Sequence, residues 1–227
     1  MKKIIAASLL SVFLPTTAAL AEEPAATPAP TSHGYGGIGL MLSSDSITTP
    51  FGDTSSKGGG LIFNGAGRFD TSGDIGIGVN GELAFGTATD DNNSSVTSTE
   101  SLFAVDGGIL LAKVFYLSLG MQIQNQTDDG SDITGTYFVV PLGLGMLWTD
   151  DTGYGLVQLR FGGGQYSTDS SSATEDVGMF GIRLAGQSGT AHGLQFMGGL
   201  EFDNYTFSNV DVTDFRFRAF IGLGFGS

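Results

Sequence analysis

The most constraining feature of the chain is a strict two-residue alternation at its C-terminal end. Phe215, Phe217, Ala219, Ile221, Leu223 and Phe225 alternate with Arg216, Arg218, Phe220, Gly222, Gly224 and Gly226. Successive side chains of an extended strand point to opposite sides, so one face is wholly apolar and the other is charged or bare apart from Phe220. A helix would scatter both sets around its circumference, and glycine every few residues argues against helix interiors. The segment must therefore be a strand with two unlike environments.

The same pattern recurs upstream. Phe115, Leu117, Leu119, Met121 and Ile123 alternate with Tyr116, Ser118, Gly120, Gln122 and Gln124. Ile75, Ile77, Val79, Leu83 and Phe85 alternate with Asp74, Gly76, Gly78, Asn80 and Glu82. Ten strands are predicted, at 34–43, 59–69, 73–86, 102–112, 115–124, 135–148, 153–165, 177–188, 192–203 and 214–226, or eight if two of them merge into loops. Long connections at 44–58, 87–101, 125–134, 166–176 and 204–213 take turns with short links at 70–72, 113–114, 149–152 and 189–191. Long and short links in turn through an even number of alternating strands is the pattern of a transmembrane antiparallel up-and-down β-barrel. A soluble sandwich or lipocalin-like barrel would turn its apolar faces inward and bathe the polar ones. Here the second face carries Arg68, Arg160, Arg183, Arg216 and Arg218 with Asp74, Glu82, Asp106 and Glu201. Arginine facing lipid near the midplane costs about 2–4 kcal/mol, so these nine residues are expected to line the lumen. Glu201 and Arg216 are expected to be cross-strand partners.

Composition narrows the classes further. The chain has 227 residues, which suits one β domain, and its 41% hydrophobic content against 14% charged rules out disorder. A net charge of −14 repels nucleic acid, and the absence of cysteine excludes disulfides and thiolate metal sites. Lys2 and Lys3, the apolar run 4–14 and the triplet Ala19-Leu20-Ala21 form the basic, apolar and small-x-small pattern of a secretory signal. The expected organisation is a cleaved signal peptide over 1–21, a flexible Ala/Pro-rich lead-in over 22–33, and a barrel over 34–227. Cleavage removes two lysines and leaves 7 basic side chains against 23 acidic ones.

Together, the signal, the alternating strands, the rhythm of the loops and the Phe-rich last strand resemble a Gram-negative outer-membrane β-barrel protein, of a small porin-like class. The resemblance covers 34–227 and is specific to the class, not to one family within it. It implies residence in the outer membrane among its lipids, insertion by the assembly machinery, short turns toward the periplasm and long loops outside. Proteins of this class often end on an aromatic residue; here Gly226 and Ser227 follow Phe225.

The five long loops hold 12 acidic side chains and a single lysine, Lys57. Such a rim is a solvated surface or a mouth that attracts cations, with Asp90, Asp91, Asp128, Asp129 and Asp132 as its densest part. The spacing around Asp128 does not match an EF-hand, and no metal or cofactor is expected. Barrel hydrolases of the outer membrane resemble chains of this size, but their His-x-Ser and Asp-His pairs have no counterpart here. His33 precedes Gly34-Tyr35 and His192 precedes Gly193-Leu194, neither beside a predicted outer loop. No enzyme is therefore expected, and no catalytic residue is assigned. Gly34, Gly36 and Gly39 spell a dinucleotide-type motif, but they lie inside a strand, where it has no such meaning. Ten strands enclose slightly more than the side-chain-filled lumen of eight, and inward Gly76, Gly78, Gly108, Gly120, Gly162 and Gly222 leave room. The leading expectation is a narrow porin-like channel for small solutes or ions, mildly cation-selective, behind an acidic mouth. The alternative is a non-conducting structural or surface-interaction barrel. None of these features specifies the solute or an oligomer.

Overall fold

A computed structural model describes residues 31–71, 73–93, 96–129, 133–171, 174–189 and 193–226. The expected signal peptide, most of the lead-in, Asp132 and His192 lie outside the described residues. Ten strands follow one another: β1 (Ser32–Thr49), β2 (Gly52–Asp70), β3 (Ile75–Asp90), β4 (Thr97–Leu111), β5 (Phe115–Asp128), β6 (Ile133–Asp150), β7 (Gly153–Thr168), β8 (Thr174–Gly189), β9 (Gln195–Phe207) and β10 (Thr213–Gly226). Each pairs antiparallel with its neighbours in sequence, and β1 pairs with β10 to close the barrel. Closure leaves no strand edge unpaired, the condition for a sheet to cross hydrocarbon.

The two faces separate as the alternation requires. Outward Leu40, Leu42, Phe85, Leu142, Ile221 and Phe225 are exposed, while inward Glu82, Arg160, Arg183, Glu201 and Arg216 are buried. A closed antiparallel barrel that is apolar outside and charged within is an outer-membrane β-barrel. One end carries the start of β1, the end of β10 and four of the connections, and is called here the termini end. The other is where β1 passes into β2, β3 into β4, β5 into β6, β7 into β8 and β9 into β10.

That second end departs from the sequence reading. The predicted long loops are mostly strand. Residues 44–58, expected as one 15-residue loop, form two paired strand ends joined by a turn at 50–51, with Ser44 opposite Lys57 and Thr49 opposite Gly52. Their outward side chains are Ser, Thr, Asp and Lys57, which give no apolar period to read, yet the backbone ladder needs none. A strand of roughly 9–11 residues spans the hydrocarbon. These run from 13 to 19, so the surplus projects past the apolar belt as a polar collar.

The predicted cross-strand pair is likewise displaced by two residues. Glu201 lies opposite Arg218, and Arg216 opposite Asp203. The last hairpin has its turn at 208–212, so its centre falls one residue later than the sequence estimate, and the paired positions shift accordingly.

Candidate functional site

The lumen is built in layers. Nearest the termini end, Tyr35, Tyr154, Leu110, Leu147, Met197 and Phe220 pack into one buried apolar cluster. The Tyr35 and Tyr154 rings stand 5.7 Å apart. The Tyr154 hydroxyl donates to Asn64 Oδ1. Arg68 and Asp70 form an ion pair at this end, at 2.6 Å.

Charged side chains make up the next layer. Arg183, at 1% exposure the largest fully buried side chain, sends Nε to Glu201, Nη2 to within 3.5 Å of Glu82 and Nη1 to within 3.6 Å of Asp106. Arg218 Nη2 reaches Glu201 at 2.8 Å and Asp203 at 3.0 Å. Arg160 Nη2 reaches Asp203 at 2.5 Å, and its Nη1 donates to Gln122 Oε1 at 3.1 Å. Gln158 Nε2 donates to Asp106 and Ser118 at 3.1 and 2.9 Å, and Asn80 Nδ2 to Asp106 at 3.1 Å. Three guanidinium groups are thus enclosed by four carboxyl groups from six strands. Pairing of opposite charges offsets their burial here, although both Glu82 oxygens and Arg183 Nη2 lie without a hydrogen-bond partner.

Above the charged layer lie Tyr137, Tyr205, Val139, Val177 and Met179. Arg216 crosses this layer. Its Nε and Nη2 donate to Asp214 Oδ2 at 2.9 and 2.7 Å, and its guanidinium carbon lies 4.7 Å from the centre of the Tyr137 ring. The Tyr137 hydroxyl donates to the same Asp214 oxygen at 2.7 Å.

Beyond Arg216 the barrel opens into a cup of about 410 Å³. Asp45, Arg216 and Tyr137 form its floor, and Asp90, Asp128 and Tyr166 stand around its wall with several Ser and Thr hydroxyls. The voids further down, beside Arg183 and beside Arg218, hold about 10 Å³ each. That is no more than the space of a single water molecule, of order 10–15 Å³.

Seven of the sequence-predicted lumen residues, Glu82, Asp106, Arg160, Arg183, Glu201, Arg216 and Arg218, come together in this stack. Arg68 is buried at its termini end. Asp74 is a correction: it stands exposed in the turn ahead of β3, because that strand begins at Ile75 and not at residue 73. Of the acidic mouth, Asp90 and Asp128 line the cup. Asp91 and Asp129 lie in turns, bonded to Lys57 and Thr97. Asp45 and Glu100, assigned to solvated loops by sequence, are buried inside, because the strands continue there. Sequence reasoning also passed over Asp203 and Asp214. Both share the parity of Glu201 and Arg216, so the alternation marks them as inward.

The inward glycines are a further correction. Gly108 and Gly222 stand against the backbone of the adjacent strand, and the space beside Gly78 is taken by large side chains. A Cβ on Gly78 would lie 2.8 Å from the Tyr116 ring and 2.9 Å from Leu147. Finally, His33 sits in β1 at the termini end, 4.0 Å from Asp151 and remote from the cup.

No protein-family model matches the chain. No curated protein sequence matches it. Solved structures similar to it include the beta domain of the Bordetella autotransporter BrkA, 11% identical with a TM-score of 0.43, over 82% of this chain and 98% of that one. The outer membrane protease OmpT from Escherichia coli is 10% identical with a TM-score of 0.42, over 86% and 97%. The attachment invasion locus protein Ail of Yersinia pestis is 13% identical with a TM-score of 0.34, over 85% and 99%. Likenesses this distant assign neither family nor activity.

Proposed function

We propose that the protein is a non-conducting barrel of the outer membrane, closed in mid-lumen, that holds an acidic cup open to the cell exterior. One observation carries this reading over that of a porin-like channel. Arg183 and Glu201, both 1% exposed, join β8 and β9 to β3 and β4 across the lumen, and the voids beside that network hold about 10 Å³ each. A channel needs a continuous aqueous path, and extracting a paired guanidinium from such a network costs several kcal/mol. The termini end faces the periplasm in this reading, as export by the signal over 1–21 and insertion by the assembly machinery require. The polar collar then extends into the medium. Planar-bilayer recording of the refolded full chain is expected to show no conductance steps. Reproducible steps would overturn the closed-barrel reading and restore the channel. No catalytic role is proposed for the cup, whose lining has carboxyls, hydroxyls and one guanidinium but no histidine.

A further inference from the structure

We propose that the floor of the cup is a proton-held strap: Asp45 of β1 and Glu100 of β4 share one proton across the lumen, and alkali releases them. The inference builds on the reading of an outward cup over a closed lumen and adds a regulation to its floor.

Both side chains are buried, Asp45 at 5% and Glu100 at 6% exposure. Both also lie in the polar collar, since Ser44 and Ser46 flank Asp45 on the outer face, and Thr99 and Ser101 flank Glu100. Their carboxyl groups meet in a hydrogen bond. Ionised carboxylates are acceptors only, so two of them can bond only when one carries a proton. No donor of the protein reaches Asp45 Oδ2 or Glu100 Oε1. Two strands, β2 and β3, stand between β1 and β4 in the wall, so the bond spans the lumen where no backbone ladder runs.

The surrounding charges favour the protonated pair. Arg216 lies opposite Asp45 in the ladder, but its Nε and Nη2 are given to Asp214. Tyr137 and Tyr205, from β6 and β9, stand against the same guanidinium. Arg218, which borders a small void with Glu100, is paired with Glu201 and Asp203. Asp90 and Asp128 line the cup and add negative charge. The remaining ladder neighbours, Ser56 beside Asp45 and Gly86 and Gln126 beside Glu100, carry none. Burial above all pushes the Asp45 carboxyl up to about 8; Arg216 opposes the shift, and Glu100 and Asp214 add to it.

The same geometry supplies the released state. Arg216 Nη1, on the residue opposite Asp45, has no hydrogen-bond partner. Once ionised, Asp45 is repelled by Glu100 and attracted by that donor, so it turns from β4 to β10 and the floor loses its strap. A carboxyl whose pKa is higher folded than unfolded adds stability that is fully present below the unfolded pKa and is lost as pH rises through the folded one. The strap therefore holds in acid and gives way through about pH 8.

The test uses the refolded full chain in lipid vesicles. Infrared difference spectra between about pH 6 and about pH 10, either side of the transition, are expected to lose carboxylic acid C=O absorption, part of which Asp45→Asn should lack. The chain has no cysteine, so Ser43→Cys, one inward position below Asp45, places a single thiol beneath the strap. Its labelling by an uncharged maleimide is compared at each pH with the same thiol in Asp45→Asn, which cancels the ionisation of the thiol. The amide of that variant keeps a bond to Glu100 at every pH. The parent background should therefore label several-fold faster than the variant above the transition, and equally below it. No loss of absorption, an equal loss in Asp45→Asn, or a labelling ratio flat with pH would each overturn the strap. If Asp45→Asn lacks the heat-dependent gel shift of a folded barrel, Glu100→Gln, which also keeps the bond, takes its place in both readings. Conductance steps at neutral pH would overturn the closed lumen, while the infrared loss still reports the strap. A silent barrel without that loss overturns the strap alone.

Discussion

Arg183 lies within 4 Å of three carboxyl groups that come from two other regions of the chain. Replacing one partner of such a network is worse than removing the whole, because the others stay buried without compensation. Arg183→Met is expected to destabilise the refolded protein by about 3–5 kcal/mol, read as a lower urea midpoint. A midpoint within experimental scatter of the parent would show that the network contributes little. At the surface the same chemistry is weaker. Lys57 Nζ donates to both oxygens of Asp91 at 3.1 and 2.9 Å, and Ser55 Oγ to one at 2.8 Å. Chiefly the lysine bond, and then the serine, hold the Asp91 carboxyl below the ordinary carboxylate range. A carboxyl with a lower pKa folded than unfolded adds stability above its unfolded pKa and loses it as pH falls through the folded one. In Lys57→Gln, carboxyl NMR should therefore show the Asp91 titration moved upward. The stability difference from the parent should vanish at low pH and shrink in high salt. An unmoved titration would exclude the lysine as the cause. Which residues face inward was legible from parity alone, and Asp203 and Asp214 could have been found the same way. Asp45 and Glu100 could not, since their surroundings carry no apolar alternation to set a phase.

Strand ends and turns follow backbone chemistry more than side-chain pattern. Between β4 and β5, Ala112 and Lys113 both take positive φ, 49° and 60°, and Val114 N donates to Leu111 O at 3.2 Å. These are the features of a type I′ hairpin turn, which favours Gly at its second central position. Lys113→Gly should raise stability by roughly 1 kcal/mol, the approximate cost of a left-handed side-chain-bearing residue. A lower urea midpoint would mean that the lysine makes a contact worth more than that strain. Inside the wall, glycine and aromatic positions are matched across strands. A Cβ on Gly199 would sit 2.4 Å from the Phe220 ring, so the Phe that breaks the bare face of β10 fills the space its neighbour leaves. The sequence displays both residues but not their pairing, which depends on side-chain direction across the ladder.

For the whole molecule, closure of β1 on β10 turns ten marginal strands into one wall. Leu142 lies midway along the outward apolar run of β6, and Leu142→Arg should cost about 2–4 kcal/mol of stability in lipid, measured by urea unfolding from vesicles. A negligible cost would place that face outside the bilayer. The barrel architecture was legible in the sequence, because period-two alternation between lipid and lumen is imposed locally, residue by residue; the choice of ten strands over eight came from the closed ladder. The state of the lumen was decided only by the tertiary structure. Whether inward Arg, Glu, Tyr and Gly leave a path or interlock depends on register and on distances between strands far apart in sequence. The same holds for the cup: Asp45, Asp128 and Arg216 come from β1, β5 and β10, and only the closed barrel brings them to one end.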